Sequence, residues 1–313
     1  MPHRRRVSAF AHNSLQVSYL SSHVDKLVIV IAFRYFRRFL HVFSSYPFYN
    51  TYLKLPKPLE HCSEVIQYNP RFYPYFADTI RALDGTHIVC HATEVEREMA
   101  WNCKGFLSQN CLVACSFDLR FTYVVSSWDG CTSDSAMLHD AHFTDFPIPP
   151  NKFYLADAGF PLISGVLVPY RGHCYHLNEW RRGNCRPSNK EELFNLRHAS
   201  ACNVIERIFG IIKCHFQILV VPPEYQMKEQ VMIPPTLCAL HNFICRYDPF
   251  EPDGHKDKDK DKDKELDTTF LNSIDPLQYG FLATALPTRA SHANAEQWWE
   301  DIAEAMWRDY NVI

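Results

Sequence analysis

Three stretches carry the acidic residues on which the predicted chemistry rests: ALDGTHI at 82–88, FYLADAGFP at 153–161 and NVIERIFGIIK at 203–213. Asp84 and Asp157 end apolar, strand-like runs, and Glu206 lies on a predicted amphipathic helix, beside its apolar stripe. Carboxylates from distant parts of a chain suit divalent cations such as Mg²⁺ and Mn²⁺, which take carboxylate and water oxygens. Two such cations about 3.5–4 Å apart can hold the attacking and leaving oxygens of a phosphoryl displacement. The pattern gives the hypothesis of metal-dependent cutting of a nucleic-acid backbone.

Each acidic residue, taken singly, also has an ordinary structural explanation. Asp84 and Asp157 each stand close to a glycine, as in many turns, and a Glu–Arg pair such as the one at Glu206 is common on helix surfaces. Asp134 follows Ser133, a plausible N-cap, and a negative charge in a first helical turn complements the helix dipole. The metal hypothesis therefore depends on the combination of these residues, with Asp134 as an accessory candidate.

The sequence around these stretches alternates strand-like and helix-like patterns. Strands are predicted at Ala82–Cys90, Asn110–Phe117, Phe121–Trp128, Lys152–Asp157 and Gly165–Pro169. Helices are predicted at Val24–Phe43, Asp134–Ala141, Glu191–Lys213 and Cys238–Arg246. Strand, hairpin, helix, strand and helix in this order predict a mixed α/β domain.

Composition allows a folded core but identifies no partner. The chain has 313 residues, 47% of them hydrophobic, which is enough for one large domain or two small ones. Only 10 residues are glycine, and no phosphate-binding loop with P-loop or GxGxxG spacing occurs. The net charge of −3 neither supports nor excludes a nucleic-acid partner. Basic residues are clustered instead, at 3–6, 34–38 and 181–186, where solvated faces are the alternative explanation.

The cysteines and the longest apolar run bear on the compartment. The 12 cysteines form no CxxC pair and no signal peptide precedes them, so a reducing intracellular compartment is the simplest interpretation. A zinc site at HCYH, residues 173–176, is an alternative use of soft ligands. The apolar run Leu27–Phe33 is too short to span a bilayer, so no membrane association is expected.

The C-terminal part of the chain changes character. His255–Glu265 alternates lysine with aspartate, a composition typical of a solvated linker. Glu296–Tyr310 (EQWWEDIAEAMWRDY) has helical periodicity and three tryptophans. This helix either packs on the domain or binds a partner helix, and packing is favoured because exposed tryptophan is unusual.

Eight motifs together identify a family resemblance. In order along residues 40–250 they are ALDGTHI, KGFLSQN (104–110), FDLRFTYVVSSWDG (117–130), SDSAML (133–138), FYLADAGFP, VPYRGHCYHL (168–177), ELFNLRHASACNVIERIFGIIK (192–213) and ALHNFI (239–244). They resemble the PIF/Harbinger superfamily of DDE transposases, and in particular Harbinger transposase-derived nucleases.

The resemblance implies a fold, an activity and partners. The fold is RNase H-like, a mixed five-stranded sheet flanked by helices. Asp84, Asp157 and Glu206 are implied as the catalytic triad that holds two divalent ions, Mg²⁺ or Mn²⁺, with Asp134 as a further metal ligand. The activity is that of a DNA endonuclease that hydrolyses or transfers phosphodiesters in the nucleus. A Myb-like DNA-binding partner and a homo-oligomer are further expectations, with a cytoplasmic location if the partner is absent.

Two departures from the family pattern bear on DNA binding. Where relatives have RNRKG, this chain has WNCKG at 101–105, so Cys103 replaces a basic residue. Four basic residues remain as candidate phosphate contacts, namely Lys104, Arg171, Arg207 and Lys213. The N-terminal region is also short and resembles only the end of the family's helix-turn-helix region. The alternative function is an inactive, domesticated or decaying relative that binds DNA or protein.

The predicted organisation has four parts. Residues 1–60 form a truncated helical region left from a helix-turn-helix domain, and 78–247 form the RNase H-like endonuclease domain. Residues 248–270 form a charged low-complexity linker, and 271–313 form a helical C-terminal tail.

Overall fold

The computed structural model describes residues 27–57, 60–102, 104–175, 177, 186–248 and 289–312. The predicted Lys-Asp run at His255–Glu265 lies outside the described residues, as do nearly all of the predicted linker, Cys103 and residues 1–26.

Five strands form one mixed sheet. They are β1 (Thr79–Val89), β2 (Ser108–Cys115), β3 (Phe121–Trp128), β4 (Phe153–Ala156) and β5 (Val166–Leu167). Their order across the sheet is β3-β2-β1-β4-β5; β2 pairs antiparallel with β1 and β3, whereas β4 runs parallel to β1 and β5. The predicted fold class, an RNase H-like mixed five-stranded sheet flanked by helices, is confirmed.

The described helices flank this sheet. They are α1 (27–43), α2 (Phe48–Tyr52), α3 (Glu64–Gln67), α4 (Arg97–Ala100), α5 (Asp134–Thr144), α6 (Lys190–His215), α7 (Met227–Gln230), α8 (Ile233–Tyr247) and α9 (Arg289–Tyr310). Side-chain caps fix the starts of the two helices that border the candidate site. The Ser133 hydroxyl accepts from the Ala136 N–H, as predicted, and the Asn189 carboxamide accepts from the Glu192 N–H.

The two faces of the sheet have separate cores. On one face, Ile205, Ile208 and Ile212 of α6 pack with Ala82 and Ile88 of β1. On the other face, Met137 and Leu138 of α5 pack with Leu83 of β1. Because successive strand side chains point to opposite faces, even-numbered β1 residues from 82 to 88 face α6 and odd-numbered ones face α5. This alternation decides from which side each candidate residue approaches.

Several element boundaries differ from the sequence prediction by a few residues, and two differences have identifiable reasons. The last helix of the core begins at Ile233, five residues before the predicted start at Cys238. Pro234 and Pro235 lie in its first turn, where the missing N–H groups would have no intrahelical acceptor, so these prolines do not interrupt the helix. Asp84 lies inside β1, which continues to Val89, so the turn interpretation of Asp84-Gly85 is wrong.

The C-terminal helix α9 packs on the sheet domain, which confirms the favoured alternative. The Trp299 ring stacks on Tyr170 with centroids 3.8 Å apart, and Trp298 meets Phe153 at 4.7 Å. Met306 is fully buried. The Lys190 ammonium forms an ion pair with Glu300, so apolar and charged contacts both hold α9 against α6.

The N-terminal helix α1 docks by one end. Leu40 is buried, the Phe36 ring stacks on Tyr225 with centroids 4.8 Å apart, and Arg37 pairs with Glu229 at 2.9 Å. Its first turns, 27–31, are exposed and apolar. None of the described helices is long and apolar enough to cross a membrane.

Candidate active site

The register of β1 on β4 places Asp84 next to Asp157. Leu83 pairs with Ala156 in the last parallel pair of these strands. Asp84 is the next residue of β1 and Asp157 is the first residue after β4, so the two acidic residues follow the same strand pair. β4 ends at Ala156, which leaves this part of β1 without a strand neighbour on the β4 side. Two carboxylates 73 positions apart in the chain are thereby neighbours.

Backbone N–H groups orient both of these carboxylates. The Gly85 N–H donates to Asp84 Oδ1 at 2.7 Å, and the Gly159 N–H donates to Asp157 Oδ1 at 2.9 Å. A hydrogen bond to the charged form favours ionisation, and the Gly85 N–H opposes the rise in the pKa of Asp84. The two carboxylates are therefore held by main-chain groups of a strand and of the turn that follows a strand.

Glu206 approaches from helix α6. Asp84 has the same parity in β1 as Ala82 and therefore faces α6. Glu206 is exposed at the margin of the apolar stripe whose residues Ile205 and Ile208 are buried. Its charge contributes to raising the pKa of Asp84, which places the two carboxylates within electrostatic reach of each other.

Asp134 reaches the same acidic residues from the opposite face of the sheet. A Cβ atom at Gly85 would overlap Asp134 Oδ1, because the odd-numbered Gly85 faces α5. A Cβ atom at Gly159 would lie 2.9 Å from Asp134 Oδ2 and 3.1 Å from Asp157 Oδ1. Two glycines thus open the gap through which the Asp134 carboxylate lies beside Asp157. Asp134 also occupies the first turn of α5, so its dipole role and its place near the site coexist.

Burial and neighbouring carboxylates raise the pKa of Asp84 and of Asp134. Burial raises the pKa of Asp84 well above its usual range, and the charges of Asp157, Asp134 and Glu206 raise it further. Burial, followed by the charge of Asp157, raises the pKa of Asp134 to about 7. Like charges in a partly shielded cleft disfavour ionisation. The arrangement therefore favours any cation that these oxygens can bind.

The four candidate phosphate contacts lie at different places around the acidic residues. Lys104 is exposed, and its charge lowers the pKa of Asp134. Arg207 is exposed on α6 next to Glu206, and Arg171 Nη2 donates to the Ala158 carbonyl at 3.0 Å. Lys213 is half-buried and bonds to β1, with its Nζ 3.0 Å from Thr86 Oγ1. Three of the four are thus exposed at the site, and Lys213 is engaged within the fold.

Two residues near the acidic side chains were missed in the sequence. Burial raises the pKa of the Tyr175 phenol and of the Cys202 thiol, and both also feel the charges of Asp84, Asp157 and Glu206. Cys202 precedes Glu206 by four residues, about one helical turn, so its place beside Glu206 could have been inferred from the sequence. Tyr175 lies in the motif at 168–177, but no local pattern indicates that its phenol lies near the acidic residues, because this irregular segment takes a path that depends on tertiary packing.

Comparisons with known proteins identify the family of this chain. Slightly more than half of the chain, residues 83–242, matches the family described as DDE superfamily endonuclease. The chain belongs to this family. The four candidate metal ligands of this DDE superfamily member, Asp84, Asp134, Asp157 and Glu206, lie within the matched residues. The superfamily predicted from the motifs is confirmed.

One curated relative of this DDE superfamily member is Protein ALP1-like from Arabidopsis thaliana. It is 24% identical over 186 residues, an alignment that covers 52% of this chain and 42% of the relative. The chain thus matches less than half the length of that relative. No solved structure was found to match the chain.

The four carboxylates are the type of ligand that a divalent cation prefers, but their side chains, all of which the structure describes, are not arranged as a complete coordination sphere. Within the described residues, no three His, Cys, Asp or Glu side chains come close enough together to hold a metal ion as they stand. The zinc alternative at HCYH has no support there either, and His176 lies outside the described residues. The cluster of Asp84, Asp157, Glu206 and Asp134 consists only of carboxylates that oppose one another's ionisation, which is the donor chemistry of Mg²⁺ and Mn²⁺.

We expect the metal-free protein to lose stability as the pH rises from about 4 to 8. A carboxyl group whose pKa is raised by folding stabilises the fold below its unfolded pKa, and that contribution disappears as the pH passes its folded pKa. For Asp134 the folded pKa is about 7. The contribution of Asp134 to the free energy of unfolding, reduced by solvent screening, is on the order of 1–2 kcal/mol. Thermal unfolding in EDTA at several pH values measures the effect, and Asp134→Asn should flatten the profile. A profile equally steep in both proteins would contradict the assignment.

Proposed function

We propose that this chain is a metal-dependent DNA endonuclease in which Asp84, Asp157 and Glu206 hold Mg²⁺ or Mn²⁺. The observation that carries the proposal is the strand register that sets Asp84 of β1 beside Asp157. Asp84 also faces helix α6, which carries Glu206. Membership of the DDE superfamily supports a nuclease, since the family is described by that activity. Asp134, which reaches Asp157 through the glycine gap, is proposed as a fourth metal ligand.

The chain's own residues would bind, orient and balance charge. Bound divalent cations would supply an activated nucleophile and would stabilise the leaving oxygen of a phosphodiester, whether it is hydrolysed or transferred. The Gly85 and Gly159 N–H groups hold the Asp84 and Asp157 carboxylates in fixed orientations. Bound cations would relieve the repulsion between the carboxylates. Because only ionised carboxylates bind the cations well, the metal affinity should rise with pH.

DNA would be bound by local charge, because the whole chain is slightly acidic. Lys104 and Arg207 are exposed beside Asp134 and Glu206 respectively, and Arg171 is exposed beside the Asp157 turn. Basic side chains at these positions can contact phosphates on either side of the acidic cluster. Loss of one of them should weaken DNA binding and reduce its salt dependence by about one counterion.

We also propose that sequence recognition comes from a separate protein. The C-terminal half of α1 is occupied with contacts to the domain, as Leu40 and Phe36 show, and its exposed first turns, 27–31, are apolar rather than basic. A Myb-like DNA-binding partner in the nucleus is consistent with this arrangement, and homo-oligomerisation is a further proposal. Co-expression with and without such a partner, followed by microscopy of the tagged chain, tests the location.

The decisive experiment is nicking of supercoiled plasmid DNA by the purified chain in Mg²⁺ or Mn²⁺. We expect nicking that disappears in EDTA and falls at least about 100-fold in Glu206→Gln, more than a residue that only supports a ligand usually contributes. Glu191→Gln is the matched control, since Glu191 lies in the first turn of the same helix. Equal nicking by the wild type and Glu206→Gln would reject the proposal.

One observation favours a second candidate, an inactive relative that binds DNA or protein. In the described residues the acidic side chains do not form a finished metal site. This inactive candidate predicts that Mn²⁺ leaves the melting temperature unchanged. A chain that binds the metal is instead stabilised in proportion to the logarithm of the metal concentration. Melting curves from micromolar to millimolar Mn²⁺ therefore separate the two functions.

A further inference from the structure

We propose that Lys213 is a positioning residue: by bonding to β1, it sets the position of helix α6 along the strand and thereby places Glu206 opposite Asp84. The inference rests on the proposed function, because it assigns how two of the proposed metal ligands are kept together. It differs from the role that the motifs suggested for Lys213, which was contact with DNA phosphate.

The contact of Lys213 with β1 is direct. Its Nζ donates to Thr86 Oγ1 at 3.0 Å and to the His87 carbonyl at 3.4 Å. Thr86 is 8% exposed, so its hydroxyl is a fixed acceptor within the fold. The ammonium also lies 5.8 Å from the centre of the Phe209 ring. One side chain of α6 therefore reaches two consecutive residues of β1.

Strand β1 and helix α6 also carry Asp84 and Glu206, each on the face that makes the contact between Thr86 and Lys213. Thr86 follows Asp84 by two residues, so both side chains point to the same face of β1. Lys213 follows Glu206 by seven residues, nearly two helical turns, so both lie on the same side of α6, about 10.5 Å apart along the axis. The contact between Lys213 and Thr86 and the approach of Glu206 to Asp84 are thus two ends of one helix–strand contact.

The surroundings hold the ammonium in place. Lys213 and Thr86 line a small cavity of about 20 Å³ whose other walls are mainly apolar, among them Ile88, Val113 and Ile212. An ammonium beside apolar side chains is costly unless it is hydrogen-bonded, so leaving Thr86 to meet a phosphate would be unfavourable. Exposed Lys104, whose charge also acts on Lys213, is the lysine available to DNA.

The charge of Asp84 links this contact to the acidic cluster. Burial lowers the pKa of Lys213, and the negative charge of Asp84 acts in the opposite direction. The ammonium therefore lies within electrostatic reach of Asp84, while it donates hydrogen bonds to Thr86 and His87. Lys213 can steady the strand beside Asp84 without replacing a metal ion at its carboxylate.

The test compares Lys213→Met, which keeps the apolar stem, with Thr86→Val, which keeps the volume and removes the acceptor. We expect each variant to lower Mn²⁺ affinity, measured by electron paramagnetic resonance, about 10- to 100-fold, as for residues that orient a metal ligand. The double variant should be no weaker than the single ones, and Lys213→Arg should recover part of the affinity. DNA affinity in EDTA should be unchanged in both single variants.

Lys104→Met is the matched control for a phosphate contact. It should weaken DNA binding in EDTA and reduce the salt dependence, without the 10- to 100-fold loss of Mn²⁺ affinity that is expected of Lys213→Met. If Lys213→Met behaves like Lys104→Met, Lys213 is a DNA contact and the inference is wrong. Additive losses of Mn²⁺ affinity in Lys213→Met and Thr86→Val would also overturn it, because the two groups would then act independently.

A readout without metal separates this inference from the proposed function. In EDTA, Glu206→Gln should raise the melting temperature by relieving repulsion with Asp84, and this gain should shrink in the Lys213→Met background. An equal gain in both backgrounds would overturn the positioning role. A wild-type chain that binds no Mn²⁺ would reject the proposed function, and the melting temperatures would still decide the role of Lys213.

Discussion

Asp84→Asn is expected to abolish metal-dependent DNA cleavage and, at the same time, to make the metal-free protein more stable. The two effects have one cause, because the pKa of Asp84 is raised well above its usual range by burial and by Asp157, Asp134 and Glu206. Above neutral pH the folded protein must hold this charge against its neighbours. Asparagine keeps the oxygen that accepts the Gly85 N–H and removes the charge.

The expected sizes make this variant informative. Nicking should fall at least about 100-fold, since a carboxylate ligand should contribute more than a residue that only orients one. The melting temperature in EDTA at pH 8 should rise by about 2–4 °C for each kcal/mol of repulsion removed. Plasmid nicking and thermal unfolding of the same preparation measure both effects. Millimolar Mn²⁺ should stabilise the wild type more than the variant.

Asp140→Asn is the matched control for this prediction. Asp140 is an exposed residue of α5, on the helix that carries Asp134, so its replacement should alter stability by less than about 0.5 kcal/mol and leave nicking intact. If Asp84→Asn lowers stability in EDTA, the carboxylate is held by favourable contacts instead of repulsion. If nicking survives in Asp84→Asn, the site proposed for the metal ions is wrong.

Asp84 and Asp157 could be found in the sequence because both follow apolar, strand-like runs and are close to glycine. Their proximity could not, since it depends on the register in which Leu83 pairs with Ala156. A shift by one residue would have moved Asp84 to the face of α5. Pairing of parallel strands far apart in the chain leaves no local signal, so the family resemblance was needed to connect them.

The roles of Asp134 and Lys213 show a second limit of sequence reasoning. Asp134 was predicted as an accessory ligand, yet nothing local indicated that it approaches from the other face of the sheet, through gaps at Gly85 and Gly159. Lys213 has the spacing of a surface-facing helix residue two turns after Glu206. Its half-buried bond to Thr86 depends on how α6 lies across β1, which is a property of tertiary packing.

Asn242→Ala is expected to destabilise the fold strongly, although Asn242 lies away from the candidate site. Asn242 is 4% exposed, and its carboxamide takes the place of a missing strand beside β3, the outer strand of the sheet. Its Oδ1 accepts from the Phe121 N–H at 2.9 Å, and its Nδ2 donates to the Phe121 carbonyl at 2.6 Å. The same Nδ2 donates to the Tyr52 carbonyl at 2.9 Å, which ties the N-terminal region to the domain.

Alanine at position 242 would leave the buried N–H and carbonyl of Phe121 and the partly buried carbonyl of Tyr52 without these partners. Each such group costs about 1–3 kcal/mol, and partial access to water should limit the total to about 3–5 kcal/mol. Urea unfolding should show this loss, with Asn311→Ala as the control, because the carboxamide of Asn311 is exposed at the end of α9. Asn242→Asp keeps the volume and Oδ1 but loses the donor, so it should be similarly destabilised above pH 5. A loss below about 1 kcal/mol in Asn242→Ala would mean that water or a rearranged β3 satisfies Phe121.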